Sequence, residues 1–176
     1  MFVTRAEKDI FMKNAVTMGT IDFLREEIEK KAVLTSREKS TFTYVDNTLT
    51  KVNEAILEKF DTKKDEDKFV QGLARRLDND RVKVELSKFP AKKMDLPVKK
   101  YFSNFCAAYI GVRDAENYFT TNPKKIDNKL ITRLKSSKTR FGKVLKRHLE
   151  DAEYGDYFEG LNVQNGKYDF GVELKI

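Results

Sequence analysis

The chain has 176 residues, 35 Lys/Arg against 28 Asp/Glu, and a formal net charge of +7, with 36% of its residues charged and 40% apolar. That is enough apolar material for a core, but no run approaches the roughly 18 consecutive apolar residues of a membrane span, and the opening "MFVTRAEKDIF" lacks the apolar stretch of a secretory signal. One cysteine (Cys106) and one histidine (His148) exclude an internal disulfide framework and a His/Cys zinc site, so the expectation is a soluble, cytoplasmic protein without cofactor or metal.

Thr4 followed by Glu7 has capping-box spacing, in which each side chain satisfies the other's free amide. It predicts a helix from about residue 5 to 18, stopped by Gly19. A second helix should open at Thr20 and run to about Ala32, burying Ile21, Leu24 and Ile28. Thr35 and Glu38 repeat the capping spacing. The helix they open, about 36–60, carries Phe42, Val45, Leu49, Val52 and Ile56 at steps of three and four, a narrow seam suited to helix-on-helix packing. Such a seam serves either the chain's own core or a homodimer or protein partner bound through residues 36–60.

After the charged connector "DTKKDEDK", Phe69, Val70, Leu73 and Leu77 mark another helix. "RVKVEL" alternates strictly and predicts a strand with Val82, Val84 and Leu86 on one face. Pro90 and Pro97 bracket an expected linker between an N-terminal helical lobe, 1–90, and a C-terminal unit, 97–176. The apolar set from Val98 to Ile110 predicts a buried helix over 97–113, with Cys106 as a small core residue rather than a nucleophile.

"TTNP" places Asn122 as a cap and Pro123 in the first turn of a helix to residue 134, burying Ile126, Leu130, Ile131 and Leu134. A short turn at Ser136 or Ser137 should then open a basic helix over 137–149. On its wheel Phe141, Val144, Leu145, His148 and Leu149 cluster on one side, and Arg140, Lys143, Lys146 and Arg147 spread over the other. In the tail, Asn165-Gly166 favours a two-residue turn between Leu161 and Val163 on one side and Tyr168 to Leu174 on the other, predicting a β-hairpin to which the strand near Val82 could add.

The charge is concentrated in one segment. Residues 124–147 hold ten Lys/Arg against Asp127 alone, a segment charge of +9, whereas residues 148–176 carry −5. Clustering of this kind points to a polyanionic partner rather than to general solubility.

The order helix, helix, short turn, basic helix, hairpin is that of a winged helix, in which the second helix of the pair enters the major groove and the β wing touches an adjacent groove or phosphate. The segment resembles the C-terminal winged-helix domains of phage and poxvirus primase-helicases. The likeness rests on Ser136, Ser137, Arg140, Phe141, Gly142, Leu145 and Lys146 in the basic helix, and on Gly160, Tyr168, Gly171, Leu174 and Lys175 in the wing. It covers the last third of the chain and implies a DNA-binding module without the motor, since no Gly-x-x-x-x-Gly-Lys-Ser/Thr loop is present. The acidic "EDAEYGD" and a wing tip offering only Lys167 depart from the pattern and leave the contact to the basic helices.

The expected fold is therefore mainly α: a helical bundle with a C-terminal winged-helix-like helix-turn-helix and β-hairpin. The expected function is non-catalytic binding of nucleic acid, chiefly duplex DNA, through Lys124, Lys125, Lys129, Arg133, Lys138, Arg140, Lys143, Lys146 and Arg147. Six phosphate contacts would cost about a thousandfold in affinity between 50 and 200 mM salt. Arg140 and Arg147 have the side-chain type that reads bases, as has Asn128. The plain alternative is a solvated lysine-rich face. Two other functions stay open: a protein-interaction or inhibitor factor of the phage accessory kind acting on a larger assembly, and a Mg²⁺-dependent nuclease using Asp156 with Glu173-x-Lys175.

Overall fold

The computed structural model describes the backbone of residues 3–31, 35–78, 83–86, 96–151 and 172–175, and the side chains of residues 3–26, 35–72 and 104–148. In chain order it contains α1 (Arg5–Lys31), α2 (Ser36–Leu57), α3 (Lys63–Asp78), β1 (Lys83–Leu86), α4 (Leu96–Thr121), α5 (Asn128–Asp151) and β2 (Val172–Lys175). The chain is mainly helical, as its patterning predicts. Among the described residues no helix is long and apolar enough to cross a membrane.

Helices α1, α2, α5 and α4 pack in that order around a ring, each antiparallel to its neighbours. Cross-links along the four seams fix the directions: Asn14 Nδ2 donates to Asn53 Oδ1 at 2.9 Å between α1 and α2, and Arg147 pairs with Glu38 at 2.6 Å between α5 and α2. Lys138 meets Glu116 at 3.5 Å between α5 and α4, and Lys13 meets Asp114 at 3.3 Å between α1 and α4. The described parts of 1–90 and 97–176 thus share one hydrophobic core. Phe42, Phe105 and Phe141 meet near one end of it, with ring centroids 5.2 to 5.9 Å apart. Towards the other end Phe69 of α3 sits 5.1 Å from Phe11 and 5.3 Å from Phe60, which holds α3 to the bundle. The seam Phe42, Val45, Leu49, Val52 and Ile56 is buried inside the chain. It is core, so its apolar side chains are not available as the dimer or partner surface expected over 36–60.

Both threonine caps form, with the backbone amides of Glu7 and Glu38 donating to Thr4 Oγ1 and Thr35 Oγ1 at 3.2 Å, while each glutamate carboxylate accepts from the threonine hydroxyl instead of its amide. Two expected breaks do not. α1 runs straight through Gly19 and Thr20, because the Thr17 and Thr20 hydroxyls bond back to the carbonyls of Lys13 and Val16 inside a continuing helix instead of capping a new one. A helical glycine costs about 1 kcal/mol, and complete burial of Ile21 and Leu24 outweighs it.

The same correction applies to the basic segment. There is no turn at Ser136 or Ser137; both lie within α5, and Ser137 is fully buried among apolar neighbours. The predicted pair of helices, 123–134 and 137–149, is one helix. Its start also moves. Asn122 closes α4, its side-chain amide donating to Tyr118 O at 2.8 Å, and Asp127 caps α5 by accepting from the Lys129 amide at 2.9 Å. α4 in turn runs past the expected end at 113 to Thr121, burying Ala115 and Phe119.

β1 pairs antiparallel with β2, Lys83 opposite Lys175 and Leu86 opposite Val172, and both strands lie against α4. The expected Asn165-Gly166 turn, the strand before it and most of the 87–97 linker lie outside the described residues. Cys106 is fully buried, and burial pushes its thiol pKa up, away from nucleophilic use.

Close approach of α1 and α4 depends on one glycine. A Cβ at Gly111 would stand 1.9 Å from Thr17 Oγ1 and 3.2 Å from Thr17 Cβ. Gly111→Ala should therefore lose about 1–3 kcal/mol in urea unfolding despite the better helix former. Thr17→Ala in the same chain should restore much of that loss; additive losses from the two changes would contradict a direct clash.

Candidate nucleic-acid interface

The exposed side of α5 and the first turns of α2 border an open groove of about 890 Å³. Its lining is dominated by cations and hydroxyls: Arg37 and Ser40 from α2, and Thr139, Arg140, Lys143 and Arg147 from α5. The only acid among the described residues that line it, Glu38, is consumed. Its carboxylate takes Arg147 at 2.6 Å and His148 Nε2 at 3.1 Å while its backbone amide is capped by Thr35. Burial by itself raises the Glu38 pKa, but hydrogen bonds from Arg147 and His148, reinforced by their charge, outweigh it and hold the carboxyl below the ordinary value.

Spacing puts cations on this side. Positions 129, 133, 136, 140, 143 and 147 step by four and three along one edge of α5, while Ile131, Leu134, Phe141 and Leu145 face inward. The cation-bearing and core-facing sides are separate, as the wheel predicts. The nine sequence-predicted residues do not act alike, however. Arg133 Nε donates to Thr48 Oγ1 at 3.2 Å, and its guanidinium sits 4.7 Å from the centre of the Tyr44 ring. The Arg140 guanidinium lies 4.3 Å from that ring. Lys138 points the other way, to Glu116 on α4, and Lys125 pairs with the buried Glu7 at 3.5 Å. Lys146 is half-buried.

Lys124, Lys129 and Lys143 remain exposed, and their ammonium groups make no hydrogen bond or ion pair among the described residues. The structure adds two cations that the prediction left out: Lys135, exposed on the same side of α5, and Arg37 across the groove on α2. Lys135 lay within the counted cluster. Arg37 had no sequence signal, because its position opposite α5 arises only when α2 packs there.

A second groove of about 610 Å³ lies between the end of α2 and the start of α5. Lys51, Lys59 and Lys125 face Glu54, Glu58 and Asp127 in it, so it has no charge preference. His148 is a buried partner of Glu38, its ring centroid 5.5 Å from that of Phe105. Of the nuclease pattern, Asp156 lies outside the described residues, while Glu173 sits opposite Glu85 in the β1–β2 register. Comparison with family models, curated proteins and solved structures returned no match.

Proposed function

We propose that this is a non-catalytic nucleic-acid-binding protein that lays duplex DNA along the exposed side of α5. What supports this is the α2–α5 groove, where Arg37, Lys135 and Lys143 stand beside arginines already anchored in place and the one acid is neutralised within the fold. From Lys129 to Lys143 the helix rises about 21 Å, roughly the length of six base pairs. Arg37 widens the strip sideways, so the cations can follow a phosphate backbone instead of a single point.

With Lys124, Lys129, Lys135, Lys143 and Arg37 as contacts, the slope of log affinity against log salt should be about −4 to −5. Affinity should then fall by roughly a few hundredfold between 50 and 200 mM salt. Changing Lys129, Lys135 and Lys143 together to glutamate should weaken binding at least a hundredfold and flatten the slope to about −2 or less. Fluorescence anisotropy with a labelled duplex measures both. A triple variant binding like the parent, with an unchanged slope, would dispose of the proposal.

A further inference from the structure

We infer that this DNA binding, which rests on the reading above, is directed at the phosphate backbone and is independent of base sequence. The reason lies in which cations are free and which are tied. Reading a base edge in the major groove calls for a planar fork, above all arginine set against guanine, on a helix that projects into the groove. Each arginine of α5 is restrained by the fold: Arg147 pairs with Glu38 at 2.6 Å, Arg133 with Thr48 and the Tyr44 ring, and Arg140, although exposed, lies over the same ring.

Along α5, lysines carry most of the outward charge, and the exposed Arg37 stands across the groove on α2, off that helix. Lys129, Lys135 and Lys143 are exposed on flexible stems, and an ammonium is a point charge that neutralises phosphate without a fixed direction. Geometry adds to this. α5 is flanked by α2 along one side and α4 along the other, so it offers a strip of surface rather than a free ridge. A groove only about 12 Å wide admits a single helix, not a helix with a neighbour on each side. The strip therefore meets backbones. The winged-helix expectation, with Arg140 and Arg147 as base readers, gives way here to contacts that position the duplex without reading it.

The test uses the whole chain and a pool of random-sequence DNA duplexes of equal length at 50 mM salt, carried through repeated selection, followed by affinities for three unrelated duplexes. A base-reading interface loses roughly five- to hundredfold for each mismatched pair. Here no consensus should emerge, and the three affinities should agree within about threefold. A selected consensus, bound more than about tenfold tighter than the pool, would overturn sequence independence and leave DNA binding standing. Failure to bind any duplex at 50 mM salt would overturn both.

Discussion

Replacing Glu7 by alanine is expected to lower stability by about 3–5 kcal/mol, the usual cost of removing one partner from a buried ion pair. Glu7 is fully buried at the start of α1, where its carboxylate accepts from the Thr4 hydroxyl and receives Lys59 at 2.8 Å and Lys125 at 3.5 Å. Lys59 is itself nearly covered, so deletion of the carboxylate strands an ammonium and removes the acceptor of the Thr4 hydroxyl in one step. Glu7→Gln separates the two contributions, because the glutamine oxygen can still accept from the Thr4 hydroxyl while leaving Lys59 without a counter-charge. It should retain that hydrogen bond's share, about 1 kcal/mol, and lose the remainder.

The pH dependence has a definite sign. Burial alone raises the Glu7 pKa, but the hydrogen bond and charge of Lys59, with help from Thr4 and Lys125, outweigh it and bring the value below the ordinary 4.5; Glu38 is depressed likewise. A carboxylate whose folded pKa lies below its unfolded one contributes stability that is complete above the unfolded value and is lost as pH falls through the folded one. Urea midpoints should stay level from neutral pH down to about 5 and then drop. In a Glu7→Gln/Glu38→Gln chain that acid limb should flatten; an unchanged limb would place the acid sensitivity elsewhere.

Both glutamates were legible in the sequence as caps and illegible as ion-pair hubs. A capping box is a three-residue pattern, whereas Lys59 is 52 positions from Glu7 and Arg147 is 109 from Glu38. The missed continuity of α1 and α5 has a more instructive cause. In α1 the buried seam is Ile10, Asn14, Thr17, Ile21 and Leu24; in α5 it is Leu134, Ser137, Phe141, Val144 and His148. Each steps by four and three without interruption. Two members of each are polar, so a search for apolar residues alone finds a gap where the helix continues, and Gly19 or the Ser136-Ser137 pair then looks like a boundary. In the α2 seam all five members are apolar, and the expected helix over 36–60 matches α2 from its start at Ser36 to within three residues of its end at Leu57. The candidate site divides in the same way: the count of cations was visible in the sequence, but only packing reveals which of them Glu7, Glu38, Glu116 and Tyr44 engage.

Phe141 provides a test of whether the two sides of α5 are as independent as their chemistry implies. Its ring is fully buried, 5.6 Å from Phe42 and 5.2 Å from Phe105, so it joins α5 to α2 and α4 at once. Phe141→Ala should cost about 3–5 kcal/mol, and a chain of this length should melt roughly 6–20 °C lower. The cations on the opposite side lose none of their own contacts. Below its melting range the variant should bind duplex DNA within about threefold of the parent and with the same salt slope. The lysine-to-glutamate triple variant should behave in reverse, melting close to the parent because exposed lysines contribute little to stability, yet failing to bind. Calorimetry and anisotropy on the same two proteins measure both halves. If Phe141→Ala abolished binding while the chain remained folded, the phosphate-facing strip would depend on the exact seating of α5 between α2 and α4, and the cations would act as one rigid array rather than as independent charges.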